Sequence, residues 1–369
     1  MATLTATPKR VARRLLASSF VTALATPHGV DRYLELVNPA WSVDDVRARV
    51  TDVRHLTDDT VTLTLRPNGN WRGFRAGQFV RFGVEIDGAR RTRCFSPASS
   101  ACRRDGRIEI TAKVNPAGEV TRYLKEHARP GLVVTMSQAE GEFALPAERP
   151  QRLLLISGGS GITPVMSMLR TLCDEGHTGE VTFLHYNQTA DQAPYQEELA
   201  ALRSNRNVRV LRVYTEAGDG ELSGRFSREH LLAAEPRYAT AETYLCGPPS
   251  LTCAVEDLYR AQGVEERLHT ERFTLAAPAA PASPAASGQL SFARSGAVAA
   301  NDGRSLLEQA EAAGLTPEYG CRMGICFTCT TPKRSGAVRN LLTGELSDEP
   351  DEDIQLCVNA PCGDVTLDI

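Results

Sequence analysis

Apolar and polar residues alternate with a period of two in the first part of the chain. The clearest stretches are Val61-Thr62-Leu63-Thr64-Leu65, Val80-Arg81-Phe82-Gly83-Val84-Glu85-Ile86 and Ile108-Glu109-Ile110, with Asp87-Gly88 and Asp105-Gly106 as turns between them. Short strands punctuated this way predict an antiparallel β-barrel. From residue 152 the pattern changes. Leu153-Leu154-Leu155-Ile156, Val181-Thr182-Phe183-Leu184, Val208-Arg209-Val210-Leu211-Arg212-Val213 and Thr243-Tyr244-Leu245 are apolar runs, and helical patterns such as 165–172 and 195–202 lie between them. Strands buried on both faces and alternating with helices predict a parallel α/β sheet. Residues 276–288 are almost wholly Ala, Pro, Ser and Gly and offer nothing to bury. They predict an interdomain linker of polyproline character, which could span about 40 Å at ~3.1 Å per residue. A final segment opens on Gln289-Leu290-Ser291-Phe292 and carries a helical pattern over 306–312.

These patterns divide the 369 residues into an N-terminal helical extension (1–46), a β-barrel (47–148), an α/β domain (149–274), a linker (275–288) and a C-terminal domain (289–369). A chain of this length exceeds one ordinary core, which supports a multidomain reading. Hydrophobic content of 42% against 23% charged residues is that of a folded, water-exposed protein, and a net charge of −4 excludes a general nucleic-acid binder. Residues 289–369 carry 6 basic against 12 acidic side chains, whereas the rest of the chain has 35 against 33. The excess peaks in 345–353, a run that fits a solvated loop and a docking surface equally well. At the other end, Lys9, Arg10, Arg13 and Arg14 precede a short apolar stretch interrupted by Ser18, Ser19 and Thr22. It is far short of the ~20 residues of a membrane span. An amphipathic helical extension is favoured over a cleaved signal peptide.

Candidate chemistry sharpens the picture. Of ten cysteines, Cys94, Cys102, Cys173, Cys246, Cys253 and Cys362 are scattered without a disulfide framework, which argues for a reducing, cytoplasmic setting. The other four form a C-x4-C-x2-C run, Cys321, Cys326 and Cys329, with Cys357 further on. This spacing resembles that of plant-type ferredoxins, which hold a [2Fe–2S] cluster on four thiolates. Zinc sites usually come as two knuckles of paired cysteines, and only Cys326 and Cys329 form such a pair here. Cys362 is expected to be structural rather than a ligand.

Upstream motifs resemble the ferredoxin–NADP reductase superfamily. Arg93-Cys94-Phe95-Ser96 is similar to its Arg-x-Tyr-Ser signature, with phenylalanine in place of tyrosine. The resemblance implies Arg93 on flavin pyrophosphate, Phe95 stacked on the ring and Ser96 bonded near flavin N5. A guanidinium fork suits phosphate and a flat ring suits a flat ring. Lys113 and Val114, followed by Gly118, Val120 and Thr121, resemble the family's phosphate turn leading into a helix. Gly141-Glu142-Phe143 matches a weaker third element. Gly158-Gly159-Ser160-Gly161-Ile162-Thr163-Pro164 follows a buried strand and opens a helix, as a nucleotide-binding glycine loop requires. Cys246-Gly247-Pro248-Pro249 matches the family's strand end, implying Cys246 beside the nicotinamide C4. Phe273 closes the module; in relatives a terminal aromatic there lies near the flavin.

The resemblance implies an NAD(P)H-dependent oxidoreductase that passes electrons from NAD(P)H through FAD to [2Fe–2S] and on to a protein acceptor. It implies Ser96 and Cys246 at the catalytic centre and a β-grasp ferredoxin domain of α+β class. The basic leader looks most like desaturase-type reductases, so a fatty-acyl desaturase is the favoured acceptor. Such a partner can be membrane-bound, which would bring this chain to the membrane only peripherally. A Rieske-type or P450 oxygenase, a small-molecule acceptor and a cluster-based redox sensor are the alternatives. Glu216 stands where relatives specific for NADPH use arginine, while Arg225 survives from that arginine set. A carboxylate repels a 2′-phosphate and accepts from a ribose hydroxyl, so NADH is modestly favoured.

Overall fold

A computed structural model describes residues 30–115, 118–203, 205–216, 219–273, 287–319, 324 and 327–369. The expected leader before residue 30, most of the Ala/Pro linker, and Cys321 and Cys326 lie outside the described residues. The described residues divide into two compact units: the chain from Arg272 onward, together with Thr92–Cys94, is the second, and the rest is the first.

In the first unit, α1 (Val30–Val37) buries none of its side chains. Polar contacts hold it instead: the Asp31 carboxylate accepts from Ser42 Oγ at 2.6 Å and the Val43 amide at 2.7 Å, and Arg47 donates to Glu35. Strands β1 (Val46–Thr57), β2 (Thr60–Pro67), β3 (Val80–Ile86), β4 (Ala89–Phe95), β5 (Ile108–Lys113) and β6 (Val133–Met136) form a sheet in the order β4-β3-β6-β1-β2-β5. Its ends meet through a bridge between Pro97 and Ile110, beside which the Ala98 amide donates to Glu109 O at 2.7 Å. Closure turns the expected antiparallel alternation into a barrel and removes the exposed edges. Val61, Leu63, Leu65, Phe82 and Ile110 fill its interior, and Val120 and Leu124 of α2 (Glu119–His127) join that core.

The alternate residues Thr62 and Thr64 of β2 are buried as well. Thr62 and Thr111 share a hydrogen bond of 2.7 Å, and Thr111 meets the buried Tyr195 hydroxyl at 2.5 Å. The outside of the barrel is therefore covered here by the α/β domain, and its polar groups are satisfied across the contact.

That domain has strands β7 (Arg152–Gly158), β8 (Glu180–Asn187), β9 (Val208–Tyr214), β10 (Leu222–Ser223), β11 (Glu242–Cys246) and β12 (Leu268–Glu271). They pair in parallel in the order β10-β9-β8-β7-β11-β12. Successive strands step outward from β7 on one side, then the chain crosses to β11 on the other. This reversal makes a topological switch point at the C-terminal end of β7, where open α/β sheets bind ligands. Helix α3 (Ile162–Asp174) follows β7, α4 (Gln196–Leu202) and α5 (Arg228–Ala234) follow β8 and β10, and α6 (Pro249–Gln262) follows β11. The helical pattern expected from Tyr195 begins one residue later. Tyr195 is in the left-handed region at φ 63° and points its ring into the barrel contact.

The second unit has β13 (Gln289–Phe292) and β14 (Val298–Ala300) as a hairpin, α7 (Leu306–Ala312), β15 (Thr330–Ser335), β16 (Val338–Asn340), β17 (Leu346–Ser347), β18 (Glu352–Gln355), β19 (Asn359–Pro361) and β20 (Val365–Leu367). A mixed sheet β14-β13-β20-β15-β18 and a small sheet β17-β16-β19 wrap α7 in the β-grasp manner expected. Ser305 and Glu308 make a capping box that starts the helix, and Leu306, Leu307 and Ala310 bury its inner face. Lys333 is fully buried, a rare place for lysine. Its ammonium donates to Gly336 O at 3.0 Å and Ser347 O at 3.2 Å, with the Glu352 carboxylate 3.6 Å away. The acidic run is thus partly structural: Glu352 answers Lys333, and Asp351 pairs with Arg334 at 2.9 Å. Lys333→Met strips two partly buried carbonyls of their donor. It is expected to cost this unit about 1–3 kcal/mol, read from the urea midpoint of the full chain followed by far-ultraviolet dichroism.

Candidate functional site

The switch point is built by backbone. β7 ends at Gly158, residues Gly159–Gly161 make one 3-10 turn, and α3 begins directly after it. On the neighbouring strand Cys246 pairs with Ser157, and His185 of β8 pairs with Ser157 from the other side. A methyl group on Gly161 would lie 2.2 Å from the Cys246 carbonyl oxygen. One on Gly158 would lie 2.7 Å from Pro248 Cδ. Gly159 has φ 53°, and its Cβ position meets no atom within 4 Å. The first and last glycines are therefore demanded by contact with the Cys246-Gly247-Pro248 strand end, and the middle one by conformation. Ile162, Thr163 and Pro164 are buried in the first turn of α3, where the missing N–H of proline costs nothing.

A cavity of about 460 Å³ opens beside this loop. Gly158, Gly159 and Pro248 line its floor, Gln188, Glu216 and Arg225 part of its wall, and Lys113 reaches it from the barrel. Tyr186 and Phe226 also line it, their ring centres 6.2 Å apart and their planes at 65°. Glu216 and Arg225, expected beside the ribose, thus lie in one cavity. Nothing local in the sequence marks these two rings as a pair, because Tyr186 reads as one more apolar residue of a buried strand.

Cys246 is fully buried, and burial followed by the Glu271 carboxylate pushes its thiol well up. It stays protonated and offers a neutral, compact wall. Beneath the loop Ser157 Oγ and His185 Nδ1 lie 2.7 Å apart. Burial pushes His185 down to about 4, so the imidazole is neutral near pH 7.

On the barrel, Arg93, Cys94 and Phe95 end β4, and Ser96 follows. Phe95 packs against the barrel core edge-to-face with Phe82, ring centres 5.6 Å apart. Ser96 is 1% exposed and its hydroxyl has no hydrogen-bond partner among the described residues. A buried hydroxyl left alone costs free energy, so an orphan at the serine of a flavin signature fits a bound flavin as its missing partner. The second element is self-bracing: the Asn115 amide donates to Thr121 Oγ1 at 3.1 Å, and the Gly118 amide to Asn115 O at 2.8 Å. Gly118 caps α2, and a Cβ there would crowd Asn115 and Thr121 at 3.1 Å. Val120 belongs to the core, Val114 bonds Asp59 O through its amide, and Lys113 Nζ lies 3.3 Å from the Asp59 carboxylate. Phe143 of the third element meets Tyr244 edge-on at 5.7 Å.

In the second unit Cys329 and Cys357 are both buried, and the Cys357 amide points at Cys329 Sγ from 3.5 Å. Amide donors on sulfur are what cluster thiolates use to spread their charge. Gly324 has φ 78°, a Cβ there would lie 2.9 Å from Val358, and its carbonyl accepts from Gln355 at 2.8 Å. These features fit a loop folded round a [2Fe–2S] cluster, with Cys321 and Cys326 outside the described residues. Cys362 is exposed just after the end of β19. Phe273 is half-buried two residues past β12.

Three family models match in this order: an oxidoreductase FAD-binding domain over residues 47–145, an oxidoreductase NAD-binding domain over 155–257 and a 2Fe-2S iron-sulfur cluster binding domain over 293–362. The chain is 36% identical to an NADPH oxidoreductase of Mycobacterium tuberculosis, across 94% of this chain and 90% of that protein. It is 30% identical to a glycine betaine monooxygenase reductase subunit of Pseudomonas aeruginosa, across 80% and 87%. Phthalate dioxygenase reductase has the same fold, with a TM-score of 0.62 at 23% identity over 88% of this chain and 98% of that one. The fold and these matches define a modular flavin and iron–sulfur oxidoreductase. The chain belongs to the ferredoxin–NADP reductase family, in the branch with a C-terminal [2Fe–2S] ferredoxin domain, and its cofactors are FAD, NAD(P)H and [2Fe–2S].

The backbone contact at the switch point yields a test. Gly161→Ala is expected to weaken NAD(P)H binding at least about tenfold while flavin and iron contents stay unchanged, as read by spectral titration with the nucleotide.

Proposed function

We propose that this oxidoreductase is the electron-supplying component of an oxygen-activating enzyme, taking electrons from NAD(P)H and delivering them singly from the ferredoxin domain to a protein acceptor. The orphaned hydroxyl of Ser96, buried at the flavin signature, is the observation that carries the flavin end of this reading. Bound flavin supplies the conversion from an electron pair to single electrons, and the cluster supplies single-electron carriage. The residues do the holding. Arg93 pairs with flavin pyrophosphate, Phe95 lies against the ring, and Ser96 Oγ donates near N5. Lys113, Val114, Gly118, Val120 and Thr121 shape the flavin phosphate turn. Backbone N–H groups from Gly158 to Gly161 and the first turn of α3, Ile162 to Pro164, receive the nicotinamide pyrophosphate. Cys246, Gly247 and Pro248 leave room for the nicotinamide ring and exclude water from it, and Phe273 closes over the flavin. Cys321, Cys326, Cys329 and Cys357 hold the cluster.

Two choices remain within this reading. For the acceptor, the name of the Pseudomonas aeruginosa relative supports an oxygenase. A fatty-acyl desaturase rests on the resemblance of the leader alone. No helix among the described residues is long and apolar enough to cross a membrane, so a membrane-bound acceptor would have to bring this chain to the bilayer. For the nucleotide, Glu216 in the cavity wall favours NADH, whereas Arg225 in the same wall and the name of the mycobacterial relative favour NADPH. We place NADH first because the carboxylate would face a 2′-phosphate directly.

Glu216→Arg should raise the NADPH/NADH ratio of kcat/KM at least about fivefold; an unchanged ratio removes Glu216 from the ribose site. For the exit route, Cys329→Ser should keep NAD(P)H-driven reduction of ferricyanide and lose at least about nine-tenths of the reduction of cytochrome c. Equal loss of both activities would show that electrons do not leave through the cluster.

A further inference from the structure

Helix α3 carries a polar face that no motif explains. Ser167, Arg170 and Thr171 are spaced i, i+3 and i+4, so they share one side of the helix. Ser167 and Thr171 are essentially fully buried. Each of the three grips the segment that leaves Ser96. Ser167 Oγ donates to Ser99 O at 2.8 Å, Arg170 Nη1 donates to Ala98 O at 2.7 Å, and Thr171 Oγ1 accepts from the Ala101 amide at 2.9 Å. Arg170 is itself fixed. It bonds Glu109 of the barrel at 2.8 Å and both carboxylate oxygens of Glu198, and its guanidinium lies 5.0 Å over the Tyr195 ring. Glu109 returns to the same segment, its amide donating to Ser99 Oγ at 3.1 Å and its carbonyl accepting from Ala98 N.

Apolar packing alone would hold two domains together without orienting them. Buried polar groups bonded to successive backbone atoms of an irregular segment fix its register, because any slip leaves several of them unpaired. The same helix starts at Gly161, where the backbone meets the Cys246 strand end. One rigid rod therefore joins the glycine loop at its first turn to the chain two residues past Ser96 at its third. We propose that Ser167, Arg170 and Thr171 are positioning residues for hydride transfer, holding Ser96 and the flavin it contacts in register with the nicotinamide on the glycine loop. This role rests on the proposed function, since it needs a flavin at Ser96 and a nicotinamide at Gly161.

The test uses the full-length holoprotein and two variants, Arg170→Lys and the double variant Ser167→Ala/Thr171→Val. Hydrogen exchange at the Ala101 amide should quicken at least about tenfold in the double variant, because its acceptor is gone. Flavin content and the nucleotide Kd should match wild type. The saturating rate of flavin reduction by NAD(P)H should fall about tenfold in both variants, and the long-wavelength charge-transfer absorbance of the nucleotide complex should weaken with it. A merely structural contact would free the Ala101 amide and leave the rate and the charge-transfer band unchanged, which would overturn the proposal. An Ala101 amide that exchanges no faster would overturn it equally. Should Arg170→Lys fail to retain flavin, the double variant decides alone. Wild-type flavin that NAD(P)H does not reduce would refute the proposed function and this role together. Normal wild-type reduction with equally fast variants would refute this role only.

Discussion

The constraint on which the nucleotide site depends is the meeting of two backbones. Gly161 approaches the Cys246 carbonyl so closely that no side chain fits between them. Because β7 and β11 flank the point where the strand order reverses, this contact sets the shape of the crevice at their ends. It also fixes the starting point and direction of α3, and α3 is the element that reaches from the glycine loop to the flavin barrel. A single steric requirement therefore governs the nucleotide loop, the wall formed by Cys246 to Pro248, and the helix whose far end grips residues 98–101. Ser167, Arg170 and Thr171 along that helix are each paired within the contact, so the arrangement is specific as well as tight.

The second unit solves a different problem. A small domain that must fold a loop round a metal cluster has little apolar core to spare. Its core draws on Leu290, Phe292, Leu306, Leu307, Ile354, Leu356, Val365 and Leu367, and Cys329 and Cys357 belong to the same cluster of buried residues. These two candidate sulfur ligands are thus part of the core itself, and the Cys357 amide is aimed at Cys329. Lys333 adds a buried cation that ties β15 to the chain at Gly336 and Ser347 and meets the acidic run at Glu352.

Periodicity was enough to read the architecture in the sequence, because alternation and apolar runs report burial directly. Strands β2, β3 and β5 of the barrel, β7, β8, β9 and β11 of the parallel sheet, and α7 over 306–312 all follow from it. The glycine loop was legible for the same reason: a loop between a buried strand and a helix has only one place to be. What escaped were side chains whose role depends on partners far along the chain. Ser167, Arg170 and Thr171 look like the solvent face of an ordinary helix, and their partners lie some seventy residues earlier. Nothing local marks Lys333 as buried, and nothing in Tyr195 announces a left-handed residue bonded to Thr111. The acidic run read as either loop or docking surface, because its pairing with Lys333 and Arg334 is set by strand register rather than by composition.

The central claim is that this chain carries electrons from a nicotinamide through a flavin to a [2Fe–2S] cluster. The most direct measurement is anaerobic addition of NADH or NADPH to the purified protein, followed by absorbance and by electron paramagnetic resonance at low temperature. The account predicts bleaching of both flavin and cluster bands and a rhombic signal from a reduced [2Fe–2S] cluster, and it predicts that Cys329→Ser abolishes the signal but not the flavin bleaching. Protein that contains flavin and cluster but shows no cluster reduction, or protein that lacks both chromophores, would contradict it.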